Sequence, residues 1–92
     1  MEIQWFENSW AEYQYFLKKD KKTAHKIKSL IEDIMLNGPE KGIGKPERLK
    51  YGYSGYYSRR IDKKNRLVYY IGNFGEGDVL VIITCKYHYD DK

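Results

Sequence analysis

One cysteine, two prolines, two histidines and no long apolar run mark this 92-residue chain. A lone Cys85 excludes an internal disulfide. Set mid-way along an apolar stretch between Ile83 and Tyr87, it reads as a small buried hydrophobe with no neighbour that argues for a nucleophile. His25, His88 and Cys85 form no metal-binding spacing, so neither a metal nor a cofactor is expected. No segment approaches the ~18 apolar residues of a membrane span. No signal-peptide pattern opens the chain either, so the expected location is cytoplasmic, with no membrane partner. There is no internal repeat and no low-complexity segment. A chain this short builds one hydrophobic core, so a single domain is expected over residues 1–92, with a short tail at 90–92 and any site on the core's surface.

Positive charge and tyrosine are what the chain has in quantity. Seventeen Lys and Arg against thirteen Asp and Glu give a net charge of +4 and a pI near 9.1, which favours an anionic partner. Between Gly44 and Leu67, Lys45, Arg48, Lys50, Arg59, Arg60, Lys63, Lys64 and Arg66 face only Glu47 and Asp62, an excess of six, while the rest of the chain is slightly acidic. Ten Tyr, three Phe and two Trp interleave with these cations. Such rings either stack on unpaired bases or serve as core and cross-strand packing.

Hydropathy patterning predicts an α+β fold. Alternation of Ile3 and Trp5 predicts a strand over residues 2–6. Ser9-Trp10-Ala11-Glu12 has the form of a capping box, opening a helix to about Lys18 with Trp10, Tyr13, Phe16 and Leu17 as its buried stripe. Asp20 is placed to cap a second helix, buried through Ala24, Ile27, Leu30, Ile31 and Ile34 and stopped by Asn37-Gly38-Pro39. The short link between them implies an antiparallel hairpin, with His25 on its solvated side. Residues 38–55, rich in Gly and holding both prolines, read as a long surface loop, and such loops are usually functional. Strands are predicted at 56–61, 65–71 and 79–89, the order being β-α-α-β-β-β.

The groups able to do chemistry are Glu47 after Pro46, the arginines Arg60 and Arg66, and His88 at the tip of the last strand. A carboxylate base, an imidazole acid and cations for phosphate are the parts that metal-free RNA cleavage requires. Taken singly they are less specific: Glu47 is a solvated loop carboxylate, His88 an exposed strand end, the arginines a charged face. With a three-residue turn at Asp62-Lys63-Lys64, Arg60 lies opposite Arg66, a repulsive pair that a bound phosphate would turn attractive. A two- or four-residue turn would put the two arginines on opposite faces. In the last strand, Val79, Val81, Ile83, Cys85, Tyr87 and Tyr89 should point one way, and Leu80, Ile82, Thr84, Lys86 and His88 the other.

An ordered set of short motifs then resembles the YoeB/Txe family of toxin–antitoxin endoribonucleases in the RelE/ParE superfamily. It comprises Trp5, Ser9-Trp10, Tyr13, Asp20-Lys21, Gly44-Lys45-Pro46-Glu47, Leu49-Lys50, Ser54-Gly55, Ser58-Arg59-Arg60-Ile61, Arg66-Leu67-Val68-Tyr69 and Cys85-Lys86-Tyr87-His88-Tyr89. The resemblance implies a RelE-like fold, a helical hairpin packed on a twisted, mainly antiparallel sheet. It implies Glu47 as general base on a ribose 2′-hydroxyl, His88 as acid on the leaving 5′-oxygen and Arg66 at the phosphorane. Lys50 and Arg60 would hold phosphates, and Tyr89 would stack near the substrate base. The implied partners are mRNA on the ribosome, ribosomal RNA, a YefM/Axe-type antitoxin and a toxin homodimer. Two features depart from the family pattern: the Asp90-Asp91-Lys92 tail beyond the His-Tyr pair, and a glycine-rich segment from Gly72 to Asp78. A ParE-type gyrase inhibitor and a non-cleaving RNA- or ribosome-binding module remain as alternatives.

Overall fold

The computed structural model describes residues 1–50, 52, 54–73, 75 and 77–88. Its elements run β1 (Glu2–Trp5), α1 (Glu7–Lys19), α2 (Lys21–Asn37), β2 (Glu47–Arg48), β3 (Tyr57–Arg60), β4 (Arg66–Asn73) and β5 (Asp78–Tyr87). The strands form one sheet in the order β1-β5-β4-β3-β2, antiparallel except where β1 lies parallel to β5. The expected architecture holds, with one addition: the predicted long loop contains β2, which carries Glu47 into the sheet by pairing it with Ser58.

The helical hairpin covers one face of the sheet. Ala24, Ile27, Leu30, Ile31 and Ile34, all on the predicted stripe of α2, pack with Phe16 against Ile61, Leu67, Tyr69, Leu80, Ile82 and Cys85. Asp20 caps α2 as expected, its carboxylate accepting the Thr23 amide at 3.1 Å, and Gly38 at φ 91° ends it. The α1 stripe is narrower than expected: Phe16 is buried, but Trp10 and Leu17 are exposed. Trp10 instead meets Trp5 edge-on, with ring centroids 5.3 Å apart.

No capping box forms, because α1 starts at Glu7 and the tertiary structure takes both of its predicted members. Register shifts between β4 and β5 near Val68 interrupt the ladder on β5. The start of α1 satisfies the irregular backbone there. The Ser9 hydroxyl donates to the Ile82 carbonyl (2.8 Å), Asn8 Nδ2 to the Ile83 carbonyl (2.9 Å), and the Glu12 carboxylate accepts from the Cys85 amide (2.8 Å) and the Thr84 hydroxyl (2.9 Å). The same irregularity breaks the predicted alternation. Cys85 joins Leu80 and Ile82 in the helix-facing core instead of siding with Val79 and Val81, and burial pushes its thiol up to about 12.

Arg59, counted from the sequence among the cations that favour an anionic partner, is fully buried and points inward. Its guanidinium pairs with Asp33 and donates to the carbonyls of Gly38 (2.8 Å), Lys41 (2.6 Å) and Ile43 (3.0 Å), while Nε donates to the Tyr69 hydroxyl (2.9 Å). Tyr69 in turn donates to the Pro39 carbonyl at 2.7 Å. The backbone passes so close that a Cβ on Gly42, at φ 121°, would stand 1.7 Å from the Asp33 carboxylate.

Asp33→Ala is expected to lower folding stability at neutral pH by about 3 kcal/mol, because it leaves the buried Arg59 charge uncompensated. Chemical denaturation of both proteins measures the difference. The Arg59 hydrogen bond holds the Asp33 carboxyl below its ordinary value. Its contribution is therefore complete above the usual Asp pKa of about 4 and is lost as pH falls through the lower native value, so the gap should shrink on acidification.

Candidate active site

The register of the β3–β4 hairpin decides whether the site exists. The Asp62 carboxylate accepts the amides of Lys64 (2.8 Å) and Asn65 (2.7 Å), and the Ile61 amide bonds the Asn65 carbonyl, closing a three-residue turn. Arg60 is therefore the direct partner of Arg66, as the sequence requires for a phosphate clamp. Leu67 and Tyr69 face the helices, so Arg66, Val68 and Tyr70 face the other way, together with Ser58 and Arg60 of β3.

Arg66 is only 4% exposed, and neighbouring groups fix its orientation. Nε donates to the Ser58 hydroxyl at 2.9 Å and Nη2 to the Lys45 carbonyl at 3.0 Å, while the Glu47 carboxylate lies 3.9 Å from Nη2. Burial lowers the Arg66 pKa, Glu47 opposes that shift, and the Arg60 guanidinium adds to it. An anion added beside both guanidiniums would relieve that electrostatic cost. Glu47, by contrast, is about half exposed, placed to meet a solvent-borne group.

Arg66 pairs on its other side with Tyr87, so the residue that follows, His88, lies at the same end of the sheet. Its imidazole Nε2 sits 3.1 Å from the Asn65 side-chain oxygen, and the ring is exposed. Lys50 is exposed just beyond buried Leu49, whose amide bonds the Tyr56 carbonyl. Tyr89 and the Asp90-Asp91-Lys92 tail lie outside the described residues. The Gly72 to Asp78 segment is shorter as a loop than its sequence suggested, since Gly72 pairs with Val79 and Asn73 with Asp78. Five of the six candidate residues are thus placed: Glu47, Arg60 and Arg66 come together, while His88 follows the strand partner of Arg66 with its ring against Asn65.

Two contributors escaped the sequence reading. Ser58 shares a face with Arg60 by simple alternation and could have been found that way. Lys45 acts through its main-chain carbonyl, at φ 51°, and no side-chain pattern reports that. Among the described residues no cluster of three or more His, Cys, Asp or Glu could hold a metal ion, and no helix is long and apolar enough to cross a membrane.

The architecture is a RelE-like α+β fold, shared at low identity with YafQ of Escherichia coli (TM-score 0.69, 17% identical, covering 92% of this chain and 90% of that one). Much nearer is a YoeB/ParE toxin from Agrobacterium tumefaciens, at TM-score 0.89 and 37% identity over 97% of this chain and all of that one. The YoeB dimer from Staphylococcus aureus superposes at TM-score 0.87, with 43% identity over 97% and 98% of the two chains. In sequence, Toxin YoeB of Escherichia coli strain K12 is 44% identical over 97% of this chain and 100% of its own length. The family model of YoeB-like toxins of bacterial type II toxin-antitoxin systems matches residues 5–89. The chain belongs to that family.

Proposed function

We propose that this toxin is a metal-independent endoribonuclease that cleaves mRNA on the ribosome. The observation that carries the proposal is the half-exposed Glu47 carboxylate beside the seated Arg66 guanidinium, with Arg60 opposite and His88 at the adjoining strand end. Glu47 takes the proton from a ribose 2′-hydroxyl, whose oxygen attacks the adjacent phosphorus. Arg66 and Arg60 stabilise the charge that grows on the non-bridging oxygens, and His88 protonates the departing 5′-oxygen. The products are a 2′,3′-cyclic phosphate and a free 5′-hydroxyl. Lys50 holds a flanking phosphate and Tyr89 stacks near the base. The excess of cations between Gly44 and Leu67 supports a polyanionic substrate, and the ribosome is proposed on the strength of the family resemblance.

A solved Staphylococcus aureus relative, 43% identical, is a heterotetrameric YoeB-YefM toxin-antitoxin complex, and another is a YoeB dimer. A YefM-type antitoxin and self-association are accordingly part of the proposal, as is action in the cytoplasm, where ribosomes and mRNA meet.

Incubated with ribosomes and mRNA, the protein should yield fragments ending in 2′,3′-cyclic phosphate at discrete codon positions, and His88→Ala should not. Intact transcript from both proteins would overturn the proposal, and gyrase inhibition in the same samples would select the ParE-type alternative.

A further inference from the structure

We propose that Arg59, together with Asp33, is a positioning residue for Glu47: the buried guanidinium holds residues 38–43 and thereby sets where the Glu47 carboxylate lies beside Arg66. The inference rests on the cleavage mechanism proposed above and extends it to a residue that touches no substrate.

The backbone leading to Glu47 is fastened at six carbonyls between Gly38 and Lys45. Arg59 takes those of Gly38, Lys41 and Ile43, Tyr69 takes that of Pro39, the Arg60 amide takes that of Gly44 at 2.6 Å, and Arg66 takes that of Lys45. Only Lys45 and Pro46 separate the last of the glycines from Glu47. Lys45 occupies a left-handed conformation at φ 51° that a non-glycine residue keeps only when its surroundings enforce it. Pro46 has its own φ locked by the ring. With so little slack, a displacement at Ile43 or Gly44 passes to the start of β2 and to the carboxylate.

Stability alone does not call for this arrangement. A buried ion pair can often be replaced by apolar side chains of similar volume without loss. What apolar packing cannot supply is a donor fork that dictates the path of three carbonyls. Gly42 and Gly44 fit the same cage: a Cβ on Gly44 would approach Leu30 Cδ2 to 2.8 Å and the Arg60 carbonyl to 3.2 Å.

The test compares wild type with Arg59→Lys and with the milder Asp33→Asn, which leaves Arg59 its carbonyl partners. Two readouts are taken on folded protein: amide hydrogen exchange, and steady-state RNA cleavage with and without Glu47→Ala. Exchange over residues 39–48 should quicken at least about tenfold in Arg59→Lys while β4 and β5 keep their protection, an opening confined to one segment. The kcat should fall about tenfold or more with KM held within about twofold. Added to Glu47→Ala, the substitution should cost little further, because the group it positions is already gone.

Unchanged exchange over 39–48, or a loss of rate that multiplies with that of Glu47→Ala, would overturn the inference. Should Arg59→Lys fail to fold, Asp33→Asn carries the same expectations at smaller size, and the same two outcomes decide. If wild type cleaves nothing while the segment still loosens in the variants, the cleavage mechanism fails and the hold on the Glu47 segment stands.

Discussion

Arg66→Ala is expected to lower RNA cleavage by at least about a hundredfold, the usual cost of losing a group aimed at transition-state charge. The structure explains why the effect should fall on the chemical step. Arg66 sits at 4% exposure with Nε on Ser58 and Nη2 on the Lys45 carbonyl, so its position is set before substrate arrives. Arg66→Lys should recover little, since an ammonium cannot reproduce the planar fork that engages Ser58 and Lys45 together. Single-turnover rates with the protein in saturating excess over ribosome-bound mRNA, with circular dichroism to confirm folding, measure both variants. A rate within about fivefold of wild type for Arg66→Ala would remove this residue from the mechanism.

The second large effect is expected at Glu47 and His88, the base and acid of the proposed mechanism. Glu47→Ala and His88→Ala should each reduce kcat at least about a hundredfold. Neither substitution disturbs a packed interior, because both side chains are solvent-accessible, so thermal unfolding should move little. A kcat within about fivefold of wild type for either variant would remove that residue from the mechanism.

Much of the layout was legible in the chain. The α2 stripe, the Asp20 cap and the Gly38 stop follow from local rules, where a side chain's spacing or its reach to a nearby amide is decisive. The three-residue turn that sets Arg60 against Arg66 was one of the lengths the sequence left open, and the Asp62 carboxylate bonds seen in the fold select it. What local rules misjudged was the start of α1. Ser9 and Glu12 have the spacing of a capping box, yet both serve β5, because an interrupted ladder offers backbone groups that are costlier to leave unsatisfied than a helix end in water.

Arg59 shows the same limit for charge. In sequence it is indistinguishable from Arg60, but strand alternation turns one inward to Asp33 and leaves the other exposed beside Arg66. A count of cations therefore overstated the positive surface available to an anionic partner.

By itself the sequence determined the helical hairpin, the order of the elements and the kinds of group present, because periodicity, caps and turn chemistry act over a few residues. Only the tertiary structure decided that Glu47 enters the sheet as β2, that a main-chain carbonyl at Lys45 and a hydroxyl at Ser58 seat Arg66, and that Arg59 braces the loop from within. Those contacts join residues far apart in the chain, and their energies depend on burial and direction, which no linear pattern encodes.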